Sequence, residues 1–417
     1  MEKEGLAELD QIDRDGFTRW RLQSDIAALS DMLALFTGLG IFTEKGKVYT
    51  RSQIHEATKE TEEFHSIIDR FLRAMEQAGI ISQNEYGFKV TDLVDTYYDR
   101  EKNWDEFMRI GDEIDYGRVL MEYQRESGRR IKEQIRGEIA GISLFFPQGD
   151  TEVAEAAYRN NIINLRLNYI VSDIINRLSE KNISILEVGA GVGGTTTTVL
   201  ERMKNKNISY CFTDVSQFFL NKAKDRYKEY SNISYMLMDI NKDYSEQGFK
   251  DKAYDVILCA NVLHNSHNIG ENLSKLKKLL KDDGYIIIIE ATRESCLLTT
   301  SLELKGGLEG FTDHRRGGID VFTSEDKWIE LIKEAGFTYH FTLPERHDPL
   351  AECGQSVFLC GNDAGVEQRE GAGKEAGEGT DASDKLVRHK INVEFIEKTM
   401  AARLPIFIKV FQLRSLN

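Results

Sequence analysis

Residues 185–200 read ILEVGAGVGGTTTTVL, an apolar run that breaks into four glycines and then four threonines. Gly189, Gly191, Gly193 and Gly194 let a backbone turn sharply and approach a ligand that any side chain would hold off. The helix N-terminus that follows offers free N–H groups to a carboxylate or a phosphate. Gly189, Gly191 and Gly194 also satisfy G-x-G-x-x-G, so a dinucleotide competes for this loop. Glu187, just before the first glycine, lies within reach of a ligand's amine end, which suits S-adenosylmethionine with its ammonium and sulfonium. Asp214, in CFTDVS, ends the next strand, where an acid accepts hydrogen bonds from two ribose hydroxyls; this fits NAD equally well. Asp239, in MLMDI, ends the third strand, placed to accept from an adenine amino group while Ile240 packs on the ring. Asn261, at the end of the fourth strand, is counted with them. Jointly these residues favour an adenosyl ligand.

The fourth strand, YDVILCANVLH, runs to His264, and the fifth, YIIIIEATR, carries Glu290 at its end. Neighbouring strands lie about 4.8 Å apart, so side chains at their carboxyl ends can touch. Glu290 would then hold one imidazole nitrogen and fix the tautomer, leaving the other nitrogen as a base. A glutamate after four isoleucines is otherwise a costly place for a charge. His267 reads as an exposed loop residue, and no third ligand is spaced to make a metal site with His264, so no metal is expected.

These residues need strands to hold them. From about 155 to 361, ISILEVG, ISYCFTD, ISYMLMD, YDVILCAN, YIIIIEAT and QSVFLCG alternate with helical stretches, the pattern of an open, doubly wound α/β sheet. Ligands bind such sheets outside the strands' carboxyl ends, where the strand order reverses. Ahead of the sheet, residues 18 to about 135 read helical. DIAALSDMLALFTGLGIFT and FHSIIDRFLRAMEQAGIIS place apolar residues three and four apart and stop on glycines. GFKVT then looks like a short strand, giving a winged-helix-like unit. It carries little basic excess, which favours a packing or lid role over DNA binding. The expected division is an N-terminal tail (1–17), a helical lid (18–150), a ligand-binding core (151–361), a flexible linker (362–385) and a short C-terminal element (386–417). The linker is inferred from glycine-rich, charged composition without large apolar residues.

The chain has 417 residues, 41% of them hydrophobic, and a net charge of −15, which argues against nucleic acid or an anionic membrane as partner. Its five cysteines stand singly, with no C-x-x-C pair, as expected of core residues in a reducing cytosol. The acidic N-terminus lacks the apolar centre of a signal peptide, and no apolar run reaches 18 residues, so a cytoplasmic location is expected.

The sequence resembles the methyltransferase domains embedded in polyketide synthases and hybrid polyketide–nonribosomal peptide synthetases. The likeness covers roughly 18 to 361 and is strongest from 135 to 290. IRGEIAGISLFFPQGD, AAYRNN, ILEVGAGVGGTT, FTDVSQFFLNKA, DINKDYSEQGF, YDVILCANVLH and GYIIIIEATR stand in that family's order. The resemblance implies a helical lid over a class I methyltransferase core that uses S-adenosyl-L-methionine. It also implies an acyl thioester carried on the phosphopantetheine arm of an acyl or peptidyl carrier protein, with other synthase domains as neighbours. In C-methylating members a His–Glu dyad serves the deprotonation, which maps onto His264 and Glu290. Tyr158 matches a lid tyrosine near the active site. The family often has a Trp-Trp pair after the fifth strand, where this chain reads ELKGGLEGFTDHRRGG. That departure leaves carbon and oxygen both open as acceptor, since O-methylating relatives also use a His–Glu pair. The segment from 386, with AARLP, is similar to the small C-terminal subdomain of adenylation domains. The expected activity is methylation of a carrier-bound acyl thioester at the α-carbon of a β-ketoacyl group, with O-methylation as the alternative. A dinucleotide oxidoreductase and a non-catalytic winged-helix regulator are the other classes the residues allow.

Overall fold

The computed structural model describes residues 13–178, 182–345 and 349–362. Most of the expected N-terminal tail, the linker beyond Asn362 and the element at 386–417 lie outside the described residues.

The first helix, α1 (Arg14–Gly38), begins four residues before the expected position 18. The cause is aromatic burial: Phe17 is 1% exposed and stacks on Trp20 with ring centroids 5.6 Å apart. That buried pair outweighs the charged character of the first turn. The helix stops at Gly38, and Gly40 follows with φ +79°. Helix α2 (Arg51–Thr58) opens on a capping box between Thr50 and Gln53. Helix α3 (His65–Gln77) buries Ile67, Ile68, Phe71, Leu72 and Met75 at helical spacing. The antiparallel hairpin of β1 (Ile81–Asn84) and β2 (Gly87–Val90) follows at once, so two helices and a small wing stand as the sequence suggests. Helices α4 (Arg100–Glu113), α5 (Arg118–Arg129), α6 (Glu152–Tyr158) and α7 (Ile162–Leu178) lead to the sheet.

The sheet has seven strands: β3 (Ile183–Val188), β4 (Ile208–Asp214), β5 (Ile233–Leu237), β6 (Tyr254–Ala260), β7 (Leu280–Ala291), β8 (Thr338–Leu343) and β9 (Gln355–Gly361). Their order is β5-β4-β3-β6-β7-β9-β8; β3 to β7 are parallel, and β9 runs antiparallel to both β7 and β8. Strand β8, TYHFTL, is the one sequence reading passes over. It is an edge strand, half polar and only partly buried, so it lacks the apolar run that marks the others. Helices α8 (Gly194–Arg202), α9 (Gln217–Arg226), α10 (Ile269–Leu279) and α11 (Glu325–Glu334) connect the strands.

Alternating residues of the strands feed two cores. Ile286, Ile288, Ile257 and Leu186 pack on one face with Trp328. Ile287, Ile289, Val256 and Ile185 pack on the other, in a cluster that continues without a break into Phe17, Trp20, Phe107 and Tyr116. The helical half therefore shares a core with the sheet. Among the described residues no helix is long and apolar enough to cross a membrane.

Candidate active site

Strand order reverses between β3 and β6: from β3 the chain goes out to β4 and β5, then returns to the other side for β6 and β7. The glycine loop leaves β3 at this point, where a crevice is expected. A cavity of about 410 Å³ opens there, lined by Glu187, Gly189, Gly191, Gly194, Asp214, Asp239, Ile240 and Asn261 among others.

Three loop glycines hold left-handed backbone, Gly189 at φ +62°, Gly191 at +55° and Gly193 at +72°. Their surroundings separate their roles. A Cβ on Gly189 would lie 2.3 Å from Val262 Cγ2, and one on Gly193 would lie 2.1 Å from Tyr227 Oη. At Gly191 the nearest atom would be 4.0 Å away. Gly191 is thus bare toward the cavity, whereas Gly189 and Gly193 are glycine for internal packing. Gly193, counted from sequence with the ligand contacts, faces Tyr227 and does not line the cavity.

Glu187 is 1% exposed, and its Oε2 accepts from Tyr210 Oη at 2.7 Å and from Thr196 Oγ1. Burial pushes its carboxyl up to about 7, against the two hydroxyl donors, which pull it down. Asp214 accepts from the Gly191 N–H at 2.9 Å and the Ser216 N–H at 2.8 Å, and burial raises it despite these bonds. Burial also acts to raise Asp239, but the Asn241 N–H and Lys242 outweigh it and hold that carboxyl below its usual value. Asn261 sits at φ +52°, a conformation that asparagine tolerates better than most residues, and its N–H donates to the Ile289 carbonyl at 2.7 Å.

Strands β6 and β7 are parallel neighbours, with Ala260 opposite Ile289, so His264 and Glu290 leave adjacent strand ends. His264 Nδ1 lies 2.7 Å from Glu290 Oε2. Glu290 is 0% exposed, and its Oε1 accepts the N–H groups of Val262 (3.0 Å), Leu263 (2.7 Å) and His264 (3.3 Å). A carboxylate saturated with donors leaves Nδ1 as the nitrogen that carries the proton, so Nε2 presents its lone pair. His264 does not itself line the 410 Å³ cavity; Val262 and Asn265 beside it do. Its ring packs edge-on to Phe322, centroids 5.7 Å apart, and Phe322 lines a neighbouring cavity of about 580 Å³. Neither His264 nor Glu290 lines either cavity; Val262 and Asn265 border the first, and Phe322 and Arg315 border the second. His267 is exposed, and among the described residues neither it nor His264 belongs to a three-ligand group.

Sequence reading missed three features here. Arg315 clamps the turn that carries His264, donating to the His264 and Ser266 carbonyls at 2.7 Å each while pairing with Asp313 at 2.8 Å. Tyr210 and Thr196 hold Glu187. Lys305 enters the 410 Å³ cavity and donates to Tyr158 Oη at 3.1 Å. None has a spacing signal; only the fold brings them to the site.

Residues 186–286 match the family described as Methyltransferase domain. Pyochelin synthetase PchF of Pseudomonas aeruginosa is 26% identical over 326 residues, covering 75% of this chain and 18% of that protein. Fusarielin synthase FSL1 of Gibberella zeae is 32% identical over 228 residues, covering 51% of this chain and 8% of that one. The chain thus spans less than a fifth of the length of either relative. The solved CurJ carbon methyltransferase superposes with a TM-score of 0.77 at 25% identity, covering 86% of this chain and 96% of that one. The DszA carbon methyltransferase gives 0.73 at 25%, covering 84% and 91%.

The chain holds a methyltransferase domain with the class I fold, and it is similar to the methyltransferase domains of polyketide synthases. The methyltransferase domain uses S-adenosylmethionine, and its cavity fits that cofactor. Three acidic side chains, Glu187, Asp214 and Asp239, suit an ammonium, a sulfonium and two ribose hydroxyls. Gly191 leaves the room such a ligand needs. The methyltransferase match, rather than the glycine loop, decides against the oxidoreductase alternative.

Proposed function

We propose that this methyltransferase domain C-methylates the α-carbon of a β-ketoacyl thioester presented on a carrier protein's phosphopantetheine arm. Bound S-adenosylmethionine supplies an electrophilic methyl group on a sulfonium. The chain's own residues do the rest. Glu187 receives the ligand's ammonium, Asp214 its ribose and Asp239 its adenine amino group, with Ile240, Asn261, Gly189 and Gly191 shaping the walls. His264 Nε2 takes the α-proton, and Glu290 holds the imidazole in the right tautomer and stabilises its cation.

The observation that carries this reading is the dyad: a fully buried carboxylate, fixed by three backbone N–H groups, 2.7 Å from the imidazole. A substrate chamber is supported by a cavity of about 320 Å³ between the helical half and the sheet. It is lined by Trp20, Tyr116 and Leu120 from one side and by Arg293, Cys296 and Gln355 from the other, and it shares Tyr158 and Asn261 with the cofactor cavity. In this reading residues 18–150 serve as the lid and 151–361 as the core. Neighbouring synthase domains and a cytoplasmic setting belong to the same reading. Carrier-bound β-ketoacyl and β-hydroxyacyl substrates, incubated with methyl-labelled S-adenosylmethionine and followed by mass spectrometry, test it. Label on the α-carbon of the β-ketoacyl group supports the proposal; label on oxygen overturns it in favour of O-methylation.

A further inference from the structure

The cofactor cavity is lined by three acidic side chains and, among the described residues, one basic one, Lys305. Lys305 is half-buried, forms no ion pair with a described carboxylate, and donates its single described hydrogen bond to Tyr158 Oη at 3.1 Å. The ammonium also stands over two aromatic faces, 4.3 Å from the Phe145 centroid and 5.6 Å from that of Tyr158. Its position is built. It closes the turn Leu302–Lys305, whose Leu304 is fully buried, and the next residues dock on the helical half, with Gly307 N–H donating to Glu63 Oε1 at 3.3 Å. An ammonium without a counter-ion is costly in such a place. S-adenosylmethionine also brings a carboxylate, which is one anion this ammonium could meet. The bond to Tyr158, a residue shared with the 320 Å³ cavity, points instead to a negative charge formed on the acceptor. Loss of S-adenosylhomocysteine affinity in Lys305→Met would assign Lys305 to the cofactor carboxylate and overturn that reading.

We propose that Lys305, acting with the Tyr158 hydroxyl, stabilises the enolate oxygen formed when the α-carbon is deprotonated. The inference rests on the C-methylation reading. In that step His264 Nε2 takes the proton; the C–H electron pair becomes the C=C bond, and the carbonyl π pair moves onto oxygen. Tyr158 lines both the cofactor cavity and the chamber, so it stands where the acceptor must meet the methyl donor. Lys305 donates to the phenol oxygen, which leaves the phenol O–H for the enolate and strengthens it as a donor. The ammonium adds charge beside the same oxygen. Tyr158 is then a catalytic residue and Lys305 a positioning residue that acts through it.

The test is exchange of α-hydrogens in D2O, followed by NMR on a pantetheine-linked β-ketoacyl thioester, with S-adenosylhomocysteine bound and no methyl donor present. Wild-type protein should exchange above the buffer rate. Lys305→Met should lose about 10²-fold of that excess, within the range for removing one oxyanion donor, while S-adenosylhomocysteine affinity and melting temperature hold. Lys305→Arg should recover part of it, and Tyr158→Phe should lose a similar amount with the fold intact. Exchange by Lys305→Met and Tyr158→Phe at the wild-type rate overturns the proposal and leaves the dyad standing. If wild-type protein does not exceed buffer exchange, the carbon-acid reading itself fails, and the role of Lys305 with it.

Discussion

Glu290 accepts four donors at once, three from backbone and one from His264, and this decides how its variants behave. His264→Ala should lower turnover by about 10²–10⁴-fold with little change in cofactor affinity, as expected for loss of a general base. Glu290→Gln keeps one acceptor oxygen for the backbone N–H groups but sets an NH2 against Nδ1. The imidazole must then present the Nδ1 lone pair and protonate Nε2, the wrong tautomer for a base. Turnover of Glu290→Gln should therefore fall nearly as far as that of His264→Ala, and steady-state kinetics of the pair would show it. Glu187 gives a pH signature. Burial lifts its carboxyl from 4.5 to about 7 in the free protein, so the folded state holds a proton there that the unfolded chain has lost. This group's contribution to stability consequently falls as pH rises from about 4.5 to 7. A ligand ammonium needs the ionised form, so S-adenosylhomocysteine affinity should rise with pH up to about 7 and level off above. Calorimetry in buffers of different ionisation enthalpy should detect proton release below pH 7, and Glu187→Gln should abolish both effects. Glycines, strand-end acids and the dyad were legible in the sequence, because their types sit at fixed offsets from apolar strands. Lys305 and Arg315 were not, because they reach the site from segments with no periodic pattern.

Helices and strands were legible to the extent that burial was one-sided or complete. Five parallel strands and β9 are apolar runs; the edge strand β8 is half polar and gave no such signal. The early start of α1 was hidden because its cause is Phe17 meeting Trp20 in a shared core, a tertiary effect. Where α1, α4 and α5 meet, Asp31 is 1% exposed, accepts from Trp104 Nε1 at 3.1 and 3.0 Å, and pairs with Arg100. A Cβ on Gly128 would come within 1.9 Å of Asp31 Oδ2, and Asp31 is pinned and has no room to yield. Gly128→Ala should destabilise by about 1–3 kcal/mol through overpacking. Gly38→Ala, where a Cβ would meet nothing within 4 Å, should not. Thermal or urea unfolding of the two variants checks the contrast.

Across the whole molecule, the helical half and the sheet are not independent bodies, since one apolar cluster runs from Phe17 and Trp20 through to Ile287 and Leu359. A fragment holding only residues 151–361 should expose that surface and lose cooperative unfolding; a fragment that melts as the full chain does would contradict this. The likeness to synthase methyltransferase domains could be read from motif order, whereas the chamber between the halves needed the packing of both. The net charge of −15 is unfavourable for binding nucleic acid or an anionic membrane. The central claim is that His264 deprotonates carbon before the methyl group moves. It is tested most directly by giving wild-type and His264→Ala protein a carrier-bound β-ketoacyl thioester with methyl-labelled S-adenosylmethionine, and locating the label by fragmentation mass spectrometry. The expected result is label on the α-carbon with wild-type protein and almost none with His264→Ala. Label on oxygen, or equal α-carbon labelling by both proteins, would contradict it.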